Sequence, residues 1–510
     1  MTSKSLWMDI DVAPDAGVLD GLQECDVAVI GSGIAGISTA YELCQRGTSV
    51  IVIDRGRICG GMTSRTSAHL APLCDDLVSE MTKIKGNEAT KLFCDSQAAA
   101  VDRIEEILKK EEIDCDFRRL DGYLFQGRDM PAEMIDQEMD AVREVGAPVH
   151  RLMGVPFNGC EDRHVLRYPK QATFHPLKYL AGVAKACSDN SVTFFRDSPV
   201  EEVTEDDGGV TVKTARGVIR AKHAVVATNS SISDRFAIHT KTAPYRTYVI
   251  TFEIKRGALA DAVYWDTEDP YHYVRLQPGP ANSDYVLVGG EDHKSGEADD
   301  ADERFKKLEA WARELMSGLG KETHRWSGQV LDTIDYAGFI GRDPGSKNIY
   351  VAMGDSGQGL THGVAGALLN TALIFGEDHP WKNVYAPSRI PLKAAKNFVT
   401  ENVTALKSFA EYVAPGELGS LDDLKRGQGA IVRRGLEKIA AYRDDSGALH
   451  LNSASCTHIG CHLHWNSFET CWDCPCHGSI FDVKGQVINA PAIGPLRRKN
   501  SSGGKCRRSA

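Results

Sequence analysis

The chain has no uncharged apolar run long enough to cross a bilayer, and its first residues, Met1-Thr-Ser-Lys-Ser-Leu-Trp-Met-Asp9, carry no apolar signal core. A cytoplasmic protein without a transmembrane segment is expected. Basic residues are in deficit, with a net charge of −11, so nucleic acid is not an expected partner. No internal repeat or long low-complexity tract stands out. Close cysteine spacing is missing from most of the chain. Of 14 cysteines, Cys25, Cys44, Cys59, Cys74, Cys94, Cys115, Cys160 and Cys187 are scattered and read as free, mostly buried thiols, which excludes a secreted disulfide scaffold. What remains is ordinary globular composition, 42% hydrophobic and 25% charged, over 510 residues. That length exceeds one core and implies about two to four domains.

Two motifs carry chemistry. The first begins at Asp26-Val-Ala-Val-Ile30, a β-branched strand pattern, and continues through Gly31-Ser32-Gly33-Ile34-Ala35-Gly36 into a helix-like stretch ending near Arg46. A second strand, Ser49 to Ile53, ends on Asp54 and Arg55. This is a dinucleotide-binding βαβ fingerprint. The first glycine permits the tight turn, the second lets backbone approach a pyrophosphate, and the third lets the helix pack on the strand. The helix N-terminus faces phosphate with its partial positive charge, and Asp54 stands where an acid bonds a ribose hydroxyl. No second complete GxGxxG occurs, which argues against a pyridine-nucleotide reductase. The fingerprint alone does not choose between FAD and NAD.

The second motif lies between Cys456 and His477, which reads Cys-Thr-His-Ile-Gly-Cys and later Cys-Pro-Cys-His-Gly-Ser. A Rieske [2Fe-2S] centre needs two thiolates on one iron and two imidazoles on the other. Cys456 and Cys474 are assigned to the first iron, His458 and His477 to the second. A structural zinc site is the alternative, but zinc knuckles favour Cys-x(2–4)-Cys and leave His458 unexplained. Cys461 and Cys476 remain unassigned by this pattern.

Further segments carry a resemblance. Gly60-Gly61-Met62-Thr63-Ser-Arg-Thr66, Ala224-Val-Val-Ala-Thr-Asn229 and Gly354-Asp-Ser-Gly357-Gln358-Gly359-Leu-Thr361-His-Gly363 resemble the D-amino-acid oxidase and sarcosine oxidase family of flavoproteins. The resemblance implies FAD, with the first segment near the pyrophosphate and isoalloxazine and the last meeting the flavin ring through backbone N–H groups. The Cys/His region resembles Rieske proteins of the cytochrome bc type. There the two extra cysteines form a disulfide, which implies a Cys461–Cys476 clip between the cluster loops. Ser479 keeps the hydroxyl which that family aims at a cluster sulfur, Phe481 stands where high-potential members carry tyrosine, and Asn489 to Pro495 resembles the covering proline loop. Together the parts resemble FAD-dependent oxidoreductases with a fused C-terminal Rieske domain.

The implied fold is an α/β flavoprotein, with a Rossmann-like FAD-binding domain and an α+β substrate domain, followed by an all-β Rieske domain. An N-terminal extension would cover 1–23. FAD-binding parts are expected at about 24–95, 160–235 and 325–390, and a substrate domain at about 96–159 and 236–324. A helical connector is expected at 391–420, with helical spacing from Ala394 to Val413, then the Rieske domain at 421–497 and a basic disordered tail at 498–510. Strands are expected around Ala430, Lys438 and Leu449, with a hairpin turn at Asp444-Asp-Ser-Gly447.

The substrate site is the least determined. Tyr271, Tyr273 and Arg275 would share one strand face and offer a guanidinium fork to an amino-acid-like carboxylate; an exposed sheet face is the competing reading. His175 could touch substrate or cap the helix starting near Leu177, and Gln171, His293 and His362 are further polar candidates. A flavin takes two electrons and a Rieske centre carries one, so the fusion reads as a two-to-one electron converter. The expected function is dehydrogenation of a small amine or amino-acid-like substrate, with electrons relayed to a quinone, cytochrome or iron–sulfur protein. A monooxygenase fed by the cluster is one alternative, although no compact Asp/Glu-x-x-His-x4-His pattern supplies a mononuclear iron. A redox carrier or sensor without turnover is another.

Overall fold

The apolar run ending at Ile30 forms strand β1 (Gly21–Ile30), whose last four residues are fully enclosed. It leads through Gly31 into helix α1 (Ile34–Cys44) and back to strand β2 (Val50–Ile53). Helix α1 is buried on nearly every side because its small and aliphatic residues meet the sheet and two further helices, Pro176–Asp189 and Gly359–Ile374. The computed structural model describes residues 3–232, 238–390, 411–413, 416–435 and 437–500. Two units are distinguished, Met1–His293 with Asp300–Phe398, and Lys294–Asp299 with Val399–Ala510.

In the first unit β1 and β2 belong to an eight-stranded sheet. Its main path runs Phe339–Arg342, Ile349–Met353, Gly217–Asn229, β1, β2, Val192–Phe195, with Val200–Asp206 and Gly209–Thr214 attached to one side. The pairs β1 with β2, β1 with Gly217–Asn229, and β2 with Val192–Phe195 are parallel, as a doubly wound sheet requires. A nine-stranded mixed sheet forms the second layer, in the order Glu322–Thr333, Thr242–Lys255, Ser283–Lys294, His272–Pro278, Val263–Asp266, Arg118–Phe125, His164–Thr173, His69–Leu70, with His150–Met153 on His164–Thr173.

This layout corrects the expected division. His164–Thr173 and Glu322–Thr333 join the nine-stranded sheet rather than nucleotide-binding layers, because alternation marks a strand without naming the sheet it enters. The expected N-terminal extension is also part of the fold. Trp7 is completely buried and donates from Nε1 to the Thr66 carbonyl at 2.8 Å, while Ser5 Oγ donates to the Ser64 carbonyl at 2.6 Å. A buried carboxylate closes the far end of the unit. Asp335, with no exposed surface, pairs with Lys85 at 2.6 Å and accepts from Nε and Nη2 of Arg389, each at 2.8 Å.

The second unit is all-β, as expected for its class. One sheet comprises Gln428–Arg434, Glu437–Arg443 and Leu449–Ser453, the other His464–Asn466, Cys471–Asp473, Ile480–Phe481 and Val487–Asn489. The hairpin turn sits where its residues place it, with Gly447 N–H donating to the Asp444 carbonyl and Ala448 N–H to the Asp444 side chain. Of the expected connector helix, residues 394–410 lie outside the described residues; Glu411–Val413 is a single 3₁₀ turn. The tail from 501 onward also lies outside them.

Candidate functional site

The glycines of the first turn are required by space as well as by backbone. Gly31 adopts φ +100°, and a Cβ there would lie 2.5 Å from the Ala227 carbonyl oxygen; a Cβ on Gly36 would lie 1.9 Å from the Gly31 oxygen. At the centre of the turn Gly33 is the N-cap of α1 without a side-chain cap, and no acid occupies the first helical turn. The helix therefore opens onto a cradle of backbone N–H groups, which fits a pyrophosphate. Thr63 reaches into that cradle, its Oγ1 accepting from Ile34 N–H at 3.1 Å. Asp54 holds the turn: one oxygen accepts from Ser32 N–H at 2.8 Å and Ser32 Oγ at 2.6 Å, the other from Gly56 N–H at 3.1 Å.

Helix Gly359–Ile374 brings the late glycine segment to the same place. Gly363 packs so closely on α1 that a Cβ would lie 2.8 Å from Ile34 and 3.0 Å from Ala35 N. The preceding turn bends through Gly354 and Gly357, both at positive φ, and Gln358 ties it down by accepting from Asp75 N–H and donating to the Leu73 carbonyl. Thr361 donates to the Gln358 carbonyl. Met62, in the segment after Gly61, accepts through sulfur from Gln329 N–H at 3.3 Å, and Trp326 Nε1 donates to the Arg65 carbonyl at 2.8 Å. These contacts seat the nine-stranded sheet over the expected flavin position. Arg55 is half-buried beside Asp54, its pKa lowered by desolvation.

At that position the structure gathers acids. Asp75 lies against the Gly357 turn, where a Cβ would meet its Oδ2 at 2.1 Å. Burial, then the neighbouring Asp355, pushes its carboxyl up to about 6. Burial together with Asp75 and Asp292 pushes Asp76 up to about 8, and burial with Asp75 nearby pushes Asp292 up to about 7 against a hydrogen bond from Thr247. Asp332 is driven well above the carboxylate range by burial and by Asp76 and Asp355. Asp355 is raised to about 6 by burial, although its oxygens accept from Leu331 N–H at 2.8 Å and Asn229 Nδ2 at 2.7 Å. All five retain some accessible surface despite this desolvation.

Of the expected substrate residues, Tyr271 and Tyr273 belong here. Their rings lie 6.0 Å apart, and burial followed by Asp75 and Asp292 raises the Tyr271 hydroxyl; burial and Asp292 are the leading causes for Tyr273. Arg275 does not join them. It is 1% exposed and donates to the carbonyls of Ser67 at 3.0 Å, Ala68 at 2.7 Å and Leu276 at 3.2 Å and to the Gln277 side chain, with Trp7 5.7 Å from its guanidinium carbon. His175 is buried, caps Pro176–Asp189 by accepting from Lys178 N–H at 3.2 Å, and meets Trp7 edge-on at 4.9 Å. Gln171 pairs with His69 at 2.9 Å, His293 with the Tyr248 hydroxyl at 3.0 Å, and buried His362 with the Gln358 carbonyl at 3.3 Å. The strand period placed Tyr273 and Arg275 on one face, but a long side chain can turn to whatever acceptors the neighbouring strand offers. The aspartates were missed because they come from four separated segments, and isolated acids in sequence read as solvated surface.

The four residues expected as cluster ligands lie in the second unit. Loop Cys456–Cys461 is closed by Cys456 N–H to the Cys461 carbonyl at 2.8 Å, and loop Cys474–Ser479 by Cys474 N–H to the Ser479 carbonyl at 2.9 Å. The Cys456 and Cys474 thiols hydrogen-bond each other, which holds Cys456 below the ordinary thiol range and pushes Cys474 up as the partner retaining the proton. His458 and His477 rings lie 5.1 Å apart. Two thiols in contact and two imidazoles set edge to face, all from the same two loops, fit a [2Fe-2S] cluster. Cys461 and Cys476 form the disulfide that the resemblance implied. Ser479, completely buried, accepts from Ala492 N–H at 3.0 Å and hydrogen-bonds Cys456, while Thr457 Oγ1 donates to the Gly494 carbonyl at 2.6 Å. The proline loop is thereby tied to both cluster loops.

The chain belongs to the FAD dependent oxidoreductase family, whose pattern it matches over residues 26–373, and it carries a Rieske [2Fe-2S] domain at 415–499. FAD and a [2Fe-2S] cluster are its cofactors. A Bacillus subtilis (strain 168) protein, YhfW, described as a Rieske 2Fe-2S iron-sulfur protein, is 28% identical over 97% of both chains. Gamma-glutamylputrescine oxidoreductase of Escherichia coli (strain K12) is 26% identical over 66% of this chain and 80% of its own. Glycine oxidase from Geobacillus kaustophilus shares the fold of the flavoprotein part, with a TM-score of 0.60 and 17% identity over 72% of this chain and 99% of that one. No helix among the described residues is long and apolar enough to cross a membrane.

Proposed function

We propose that the protein is a dehydrogenase for a small cationic amine, whose electrons leave singly through the Rieske centre to an external acceptor. The observation that carries the substrate class is the contrast between Arg275, committed to backbone carbonyls, and the aspartates beside the glycine turn. A carboxylate-bearing substrate would need a free guanidinium fork; an ammonium group needs carboxylates. The relative named gamma-glutamylputrescine oxidoreductase is named for a compound that carries a terminal ammonium group together with a carboxylate, which supports the amine part of this reading.

FAD supplies two-electron oxidation of a C–H bond next to nitrogen, and the cluster supplies one-electron transfer. The chain's own residues then divide the work. Asp75 and Asp292, raised by burial and by neighbouring acids to about 6 and 7, are ionised enough near neutral pH to hold the ammonium and accept a proton, while Asp76, at about 8, stays mostly protonated there. Tyr271 and Tyr273, their rings 6.0 Å apart, stand beside these acids and pack against the apolar part of the substrate. Gly31, Gly33, Gly36, Asp54 and the turn from Gly357 to Gly359 hold and orient the dinucleotide.

The test is anaerobic reduction. Diamines and monoamines added to the intact protein should bleach the flavin absorbance first and the cluster absorbance afterwards, at a rate independent of protein concentration. A chain ending near Gly416 should keep the first step and lose the second. A cluster that stays oxidised beside fully reduced flavin, with its measured potential above that of the flavin, rejects the relay.

A further inference from the structure

The loop that carries the first pair of cluster residues ends in a second donor set. His462 and His464 flank Leu463, which is fully buried, so the two imidazoles share the opposite face of the extended segment entering His464–Asn466. Glu411, from the turn Glu411–Val413, meets both: its Oε2 lies 3.3 Å from His462 Nδ1 and 3.0 Å from His464 Nε2. All three donors lie within 4.8 Å of one another, with His462 buried and the other two half-buried. Tyr412 fixes the turn by donating its hydroxyl to the Gly460 carbonyl at 2.9 Å and setting its ring edge-on to His462 at 5.3 Å.

We propose that Glu411, His462 and His464 form a binding site for a divalent first-row transition ion, zinc being the best match, separate from the cluster. Donors bonded to zinc at about 2.0–2.1 Å stand about 3.3 Å from each other at the corners of a tetrahedron. The two Glu411 distances lie near that spacing and all three donors lie within 4.8 Å of one another, so side-chain adjustment brings them onto one ion. Two imidazoles and one carboxylate suit zinc over calcium or magnesium, which prefer oxygen. The half-buried side of the set leaves the fourth corner to water. Lys438, from the neighbouring strand, faces Glu411 and His462 and opposes the ion, while Glu417 beside it offsets its charge. Bound there, the ion joins the turn before the Rieske domain to the loop holding His458 and Cys461.

The experiment uses the full-length protein with both cofactors, equilibrated with zinc chloride and freed of excess by gel filtration. Elemental analysis should find about one zinc per chain in addition to about two irons. Glu411→Gln and His464→Ala should each weaken zinc binding by about a hundredfold or more, with the Rieske electron paramagnetic resonance signal retained as proof of folding. Zinc-edge X-ray absorption of the unmodified protein decides independently of any variant: nitrogen and oxygen neighbours with imidazole scattering support the site. Sulfur neighbours, iron lost as zinc enters, or no retained zinc overturn it.

Discussion

Arg275 donates to the Ala68 carbonyl at 2.7 Å, inside the protein, instead of offering its guanidinium between Tyr271 and Tyr273. Burial and the nearby Arg118 lower its pKa to about 9, so the residue serves as a cross-brace between strand His272–Pro278 and the segment after Thr66. Replacing it should therefore harm the fold and leave substrate choice alone. Arg275→Met is expected to lower the melting temperature of the FAD-loaded protein. The KM ratio between carboxylate-bearing and carboxylate-free amines should stay unchanged. A selective rise in KM for carboxylate-bearing amines would restore the fork to the substrate site.

The acidic cluster makes a pH prediction with two opposite signs. Asp75, Asp76 and Asp292 have folded pKa values of about 6, 8 and 7, above the unfolded value. Between about pH 4 and 8 the folded chain thus binds more protons than the unfolded one, and stability without substrate falls as pH rises. Affinity for an ammonium substrate rises over pH 6 to 8 as the carboxylates ionise. Asp76→Asn should flatten the upper part of both curves. Melting temperature and substrate titration, each followed across that range, check the two signs.

Ser479 hydrogen-bonds Cys456, and donors to a ligand thiolate stabilise the more negative reduced cluster. Ser479→Ala should lower the midpoint potential with the cluster still bound. Phe481, completely buried on the strand that follows, has no hydroxyl to add; Phe481→Tyr should raise the potential if its oxygen reaches a cluster sulfur. Redox titration followed by electron paramagnetic resonance measures both. An unchanged midpoint in a folded Phe481→Tyr protein means the ring does not point at the cluster.

Asp335 neutralises two buried cations at once. Asp335→Asn leaves Lys85 and Arg389 without a countercharge and should destabilise the flavoprotein unit by about 3–5 kcal/mol. Urea denaturation monitored by FAD release gives the value. A loss below about 1 kcal/mol would mean that water reaches the two cations.

The sequence by itself determined a dinucleotide site and a Cys/His iron–sulfur site, because both motifs are local; that the dinucleotide is FAD was legible only through resemblance. Gly31 to Gly36 and the Cys/His loops place their functional atoms within a few residues of each other, and spacing is then nearly geometry. The Cys461–Cys476 bridge was legible only through resemblance, since sequence spacing does not say which sulfurs meet. Tertiary structure decided the rest. Trp7 reads as part of a loose extension until the Thr66 carbonyl is brought to its indole. Arg275 reads as a receptor until the Ser67 and Ala68 carbonyls accept its hydrogen bonds. Asp75, Asp76, Asp292 and Asp332 become one acidic wall only when the nine-stranded sheet folds over the glycine turn. Such sites depend on contacts between distant segments, and a side chain's partners there are set by packing rather than by its neighbours in the chain.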